Sequence, residues 1–335
     1  MTKKTYYPYF DLLKFICCIG IVAIHINPFS QMPVANDYFS HLANIFIAIF
    51  FVVSSSILWK KIKWNDSDWN LILHFEKRLI ILLFVWGVLL SWHWGVLFYH
   101  TYQDHGGTNL IGALFLRLMT SGTCLGSWFI VSLMWTIPVL YILNRYLNKH
   151  FVFFLVFLVW LYHSMVRYEG MPDFLNIYFF GEYYNGKSID SSFLPVRAIF
   201  WLESGYYFMP YLEELLIVKN KKTYAIGVVL FCFALAGISH YYFISNAVIS
   251  ILLPALCLCL TGNYDDTLVT LREISIIVYF VHRPIYTAFE FLYKHSYLPC
   301  YDGMWLFLLG LLLSIIIGLI VVKLSKKYKV LRYLY

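Results

Sequence analysis

Apolar residues in this chain gather in long runs, not in short stripes separated by polar faces. The runs near ~20 residues match the hydrocarbon thickness that a helix must cross. Ten spans are predicted: 8–29, 40–59, 79–99, 125–143, 151–166, 193–211, 223–240, 244–261, 274–292 and 304–322. Helices satisfy their backbone internally, whereas an open sheet edge cannot be satisfied in lipid. The pattern therefore predicts an all-α integral membrane protein, a bundle of about ten transmembrane helices. The longest loop, 167–192, is too short to fold alone. A single membrane domain over 1–335 is expected, with no separate soluble domain.

Composition agrees, with 61% hydrophobic and 13% charged residues, against roughly 45–50% and about 25% in soluble domains. The Lys and Arg residues orient the bundle. With the N-terminus in the cytoplasm, 18 of them fall on the cytoplasmic side and only four (Arg117, Arg167, Lys187 and Lys294) outside. Lys14, Arg197 and Arg283 lie inside spans. Both termini are thus expected in the cytoplasm. The net charge of +7 reflects this topology and anionic lipid headgroups, not nucleic acid. The first span is too long for a cleavable signal and lacks a small-x-small site. The seven cysteines show no metal spacing, and no metal site is expected.

The first span, "FDLLKFICCIGIVAIHINPF", carries Asp11, Lys14 and His25. Lys14 and His25 are eleven residues apart, three turns plus about 20°, so they share a helix face at a separation of roughly 16 Å. Asp11 lies about 40° to the other side of that line and can pair with Lys14 at i, i+3. Ionisable groups at such depth cost at least ~2.5–3.5 kcal/mol and usually face a cavity. The plainer alternative is that Lys14 snorkels and His25 bonds a neighbouring helix.

Other spans weigh against it. Ser275, Tyr279, His282 and Tyr286 form one face of the ninth span, with Arg283 and Pro284 following His282. The sixth span holds Arg197 and Glu203 on different faces. Trp128 opens the fourth span, where an aromatic-belt role is the default. Lys77 and Arg78 stand at the mouth of the third span and can grip a phosphate. A cytoplasmic set of cations, a polar stripe and an outer imidazole fit a ligand with an anionic head and a long thin arm. Acyl-coenzyme A has that shape, and its thioester would arrive beside His25.

At these residues the chain resembles the acyltransferase 3 family of membrane O-acyltransferases, which modify bacterial surface polysaccharides. Lys14 to His25 is similar to the family's basic residue, ten residues, then His. "FFVVSSSILW" resembles its second-helix pattern, with Ser55 where Gly is usual. "SWFIVSL" is similar to its Trp-Phe-Leu segment, at Trp128. "PVRAIFWLESGYYF" resembles the stretch that carries Arg197 and Gly205. "LREISIIVYFVHRPI" is similar to the segment that places Arg272, Ser275, Tyr279 and His282, with Arg283 inserted before Pro284. The third-helix segment "EKRLIILL" has Lys77 and Arg78 without the second Arg.

The resemblance implies transfer of an acyl group, most simply acetyl, from cytoplasmic acyl-CoA to a hydroxyl outside. The acceptor would be a cell-surface polysaccharide or its lipid-linked precursor, and the location a bacterial cytoplasmic (inner) membrane. His25 is expected to act as general base or to carry a transient acyl group. Lys14, Lys77 and Arg78 are expected to hold the coenzyme, and Asp11 to hold Lys14. Arg197, Trp128, Ser275, Tyr279 and His282 are candidates for binding the acceptor or the oxyanion. The rival reading is a transporter, in which buried Arg, His and Glu mark a substrate path. A purely structural membrane protein leaves those charges unexplained.

Overall fold

The computed structural model describes residues 7–65, 67–92, 127–167, 194–215, 221–238, 242–260, 265–295 and 303–335, with 95, 98, 99, 102, 111 and 297 as isolated positions. The described residues form helices and connecting turns, with no strand among them. The helices are α1 (Pro8–Ile26), α2 (Pro33–Trp59), α3 (Asp68–Leu89), α4 (Trp128–Tyr146), α5 (Lys149–Arg167), α6 (Leu194–Tyr207), α7 (Met209–Glu213), α8 (Lys221–Ala236), α9 (Tyr242–Cys259), α10 (Asp266–Lys294) and α11 (Gly303–Ser325). A 3-10 turn, Lys329–Leu334, follows. Of these, α1, α2, α4 and α11 are long and apolar enough to cross a membrane. The rest are shortened or carry charge. The polar residues of α10 include Arg272, Glu273, Arg283 and Glu290, and of the predicted third span, 79–99, positions 93, 94, 96 and 97 lie outside the described residues.

Local chemistry sets the helix ends. Pro8 opens α1, where a missing N–H costs nothing. Asn27 closes it in the left-handed conformation, φ 54°, donating its N–H to the Ala23 carbonyl at 2.9 Å. The Asp265 side chain caps α10 by accepting from the Thr267 N–H at 2.7 Å. The predicted sixth span is realised as α6 and α7, interrupted at Phe208 just before Pro210, which has no N–H to continue the ladder.

The described residues separate into two compact units, one from 1–56 with 208–335 and one from 57–207. In the first, α1 and α10 lie side by side. Asp11 meets Arg272, Cys18 meets Ser275 and His25 meets His282. Positions rise together along both helices, so the two run parallel. α11 runs against them: Gly303 faces the Asn27 carbonyl, Gly310 the Tyr286 ring and Gly318 Ile274. Pro8 and Ser325 therefore lie at the same end of this three-helix layer. Gly310, Ser314 and Gly318 form a buried stripe of small residues, which lets α11 approach α10 closely. The opposite face of α11 exposes Trp305, Leu308, Leu312, Ile316 and Leu319, a surface suited to lipid.

The second unit holds α3 to α6 and the loop between α2 and α3. Asn144 of α4 donates to Glu203 of α6 at 2.8 Å, both side chains buried. In the loop, Trp64 adopts φ 60°. Its ring lies between Trp59, at 5.9 Å, and Tyr141, at 5.8 Å, nearly parallel to both. The buried Asp68 carboxylate accepts from the backbone N–H groups of Lys63 and Asn65, each at 2.9 Å. This anchors the basic loop that carries Lys60, Lys61 and Lys63. Asp68→Ala leaves two N–H groups unmet and costs about 1–3 kcal/mol. Faster trypsin cleavage within 60–63, compared with the parent protein, is the expected result.

Candidate functional site

The site is built on the parallel pair α1 and α10. Asp11, Cys18 and His25 recur every seven residues, two turns minus about 20°, so they form one row on α1. At the first end Asp11 is 4% exposed and its Oδ2 lies 3.5 Å from Arg272 Nη1. Asp11 thus has a partner beyond the Lys14 that its spacing favours. Lys14, half-buried, lies on the next turn of α1. One turn of α10 further along, the Cys18 thiol donates to the Ser275 carbonyl at 3.2 Å. The Ser275 hydroxyl is turned onto its own helix, donating to the Arg272 carbonyl at 2.7 Å.

At the second end the His25 and His282 rings stack, with centroids 5.2 Å apart and planes at 22°. His282 is fully buried. Its Nδ1 lies 3.1 Å from the Val278 carbonyl. A carbonyl only accepts, so Nδ1 carries the hydrogen, and in the neutral ring Nε2 keeps its lone pair. That Nε2 is buried and, among the described residues, without a hydrogen-bond partner. The Tyr279 ring stands 6.3 Å from His282. Tyr286, on the same face, donates to the Phe307 carbonyl of α11 at 3.3 Å and so serves packing.

Such an arrangement offers an imidazole pair in an apolar interior at one end of α1 and cations at the other. An imidazole with one nitrogen fixed as donor holds the other ready to accept a proton. Among the described residues no group of three or more His, Cys, Asp or Glu is placed to hold a metal ion.

Lys77, Arg78, Trp128 and Arg197 belong to the second unit. Lys77 and Arg78 are exposed on α3, Trp128 opens α4, and Arg197 lies in the first turn of α6, its side chain outside the described residues. Just before them on α3, burial pushes the Glu76 carboxyl up to about 8, with Oε1 buried and unpartnered. Because the folded value lies above the ordinary one of 4.5, its contribution to stability is full below that value and is lost as pH rises through about 8. Glu76→Gln is expected to flatten this part of the stability profile, followed by thermal denaturation between roughly pH 5 and 9.

Sequence reasoning left three features without a role. Asn144 is an ordinary helical polar residue until Glu203 is brought to it. The Trp64 stack depends on a loop conformation that carries no periodic signal. Arg283 was visible as a buried charge, but its surroundings were not.

No curated protein and no solved structure matches the chain. A family model does, that of the acyltransferase 3 domain, which aligns with residues 7–323. The match takes in α1 with its Lys14–His25 spacing and α10 with its His282 segment. The chain therefore belongs to the acyltransferase 3 family, and its role is that of an acyltransferase.

Proposed function

We propose that the protein moves an acyl group, most simply acetyl, from cytoplasmic acyl-CoA through the membrane to a hydroxyl of an extracytoplasmic acceptor. The acceptor is a cell-surface polysaccharide or its lipid-linked precursor. The observation that carries this reading is the parallel α1–α10 pair, which stacks His25 on His282 at 5.2 Å and sets the Lys14 turn roughly 16 Å away along the helix. That separation is comparable to the length of a pantetheine arm.

In this reading the coenzyme's phosphates lie by Lys14, where an ammonium makes charge-assisted hydrogen bonds. Arg272 is held near by Asp11. The thioester reaches His25. His25 removes the acceptor's proton as the oxygen attacks the carbonyl carbon. His282 and Tyr279 seat the acceptor. Asp11 is about 20 Å from His25 by helix rise, so it orients the cationic end and not the imidazole. Lys77, Arg78, Trp128, Ser275 and Arg197 enter this reading through the sequence motifs alone.

The proposed setting is a bundle of about ten helices in a bacterial inner membrane, with both termini in the cytoplasm. Support comes from the antiparallel α11, which returns the chain to the end where α1 begins, and from the lipid-suited face it exposes. Labelled acetyl-coenzyme A supplied to membranes that contain the protein tests the function. Incorporation into glycan without any ion gradient is expected. Absence of both incorporation and coenzyme A binding overturns the reading in favour of a transporter.

A further inference from the structure

Arg283 follows His282 on α10 and has no part in the chemistry above. Its guanidinium lies within electrostatic reach of both His25 and His282. Its Nε is buried and lacks a hydrogen-bond partner among the described residues. Its backbone carbonyl accepts from Thr287 Oγ1 at 3.1 Å, and Tyr279 lies within electrostatic reach of its guanidinium. Among the described residues no carboxylate pairs with it.

The neighbouring His282 Nε2 is the complementary case, a fully buried lone pair with no donor to it among the described residues. Two consecutive residues of α10 therefore present one unmet donor and one unmet acceptor beside His25. Buried polar groups are nearly always paired, and an exception calls for an explanation, a catalytic role being one. A ligand that completes this site brings one oxygen to accept and one hydroxyl to donate. The reactants of acyl transfer carry both: the thioester carbonyl, and the hydroxyls of a glycan, one of them free to donate to His282 while another reacts.

We infer that Arg283 is a further catalytic residue, its Nε–H being the donor that holds the oxyanion of the acyl transfer. This assignment rests on the acyltransferase reading. The acceptor oxygen bonds to the carbonyl carbon, its proton passes to His25, and the carbonyl π pair moves onto oxygen as a negative charge. Arg283 holds that charge with a permanently ionised donor. Collapse restores the C=O bond and breaks the C–S bond. Coenzyme A leaves as thiolate and takes the proton back from His25. Because the carbonyl carries full charge only in the intermediate, the contact strengthens on the way to it and lowers the barrier.

The test uses the full-length protein in membranes with labelled acetyl-coenzyme A, with Arg283→Gln and Arg283→Lys as variants and gel filtration as the check on folding. Arg283→Gln is expected to lower kcat by about 100- to 1,000-fold and to leave the KM for acetyl-coenzyme A near the parent value. Arg283→Lys keeps the charge but not the planar N–H fork, and its kcat is expected to fall between the two. Either folded variant at full kcat overturns the assignment; Arg283→Lys serves if the Gln variant does not fold. Loss of transfer in His25→Ala alone removes only the oxyanion role of Arg283. A parent protein that neither transfers acetyl nor binds coenzyme A removes the acyltransferase reading and this inference together.

Discussion

His25→Ala is expected to lower acyl transfer by about 100- to 10,000-fold, the range that a positioned general base contributes. In barrier terms that is about 2.7–5.4 kcal/mol. The effect follows from placement. His25 stands at the end of α1 against His282, and nothing else on α1 at that depth accepts a proton. Expression and detergent-extracted monodispersity are expected to match the parent, because His25 is only half-buried and its side chain makes no hydrogen bond among the described residues. The same variant separates the two forms of the chemistry. If His25 carries the acyl group transiently, acid-quenched parent protein retains label on the imidazole and His25→Ala does not. If His25 acts as base, neither protein retains label.

Lys14→Ala is expected to raise the KM for acyl-CoA by about 10- to 100-fold, with kcat little changed. A charge-assisted hydrogen bond contributes about 1.5–3 kcal/mol, and each 1.4 kcal/mol is about tenfold in affinity. Lys14→Arg keeps the charge and is expected to restore most of the affinity. The split between the two variants is informative in itself. In the proposed reading His25 acts on the step and Lys14 on the head of the donor, roughly 16 Å apart on one helix. A Lys14→Ala protein that lost kcat without change in KM would place Lys14 with the chemistry instead. Coenzyme binding measured at rising ionic strength gives an independent check, since a phosphate contact in a partly solvated mouth weakens with salt.

Much of the fold was legible because lipid imposes a coarse rule that long apolar runs obey. Each of the ten predicted runs overlaps a described helix, with the sixth divided between α6 and α7. The ends were less legible. α10 begins at Asp266 and not at 274, because its first two turns are polar and are started by the Asp265 cap. α3 begins at Asp68 and not at 79, because its first turns mix apolar residues with Asp68, Asn70, His74 and Glu76 and so break the continuous apolar run.

The candidate site divides in the same way. The eleven-residue interval from Lys14 to His25 is a property of one helix, so spacing alone exposes it. The Asp11–Arg272 pair and the His25–His282 stack join residues more than 250 positions apart, and only the parallel packing of α1 on α10 creates them. Nor does sequence show that the His282 Nδ1 is committed to the Val278 carbonyl, which decides what Nε2 can do. Glu203 was visible as a buried acid, but its Asn144 partner lies on another helix. Arg283 was visible as a charge in a span, and only its buried, unmet Nε gave it a role.

The central claim is that donor and acceptor meet from opposite sides of the membrane. Sealed vesicles of each orientation, given labelled acetyl-coenzyme A on the outside only, test it most directly. Label is expected to enter glycan inside inverted vesicles, whose outer face is the cytoplasmic one, and not in right-side-out vesicles. Label that appears on the same face as the donor would contradict transfer through the membrane.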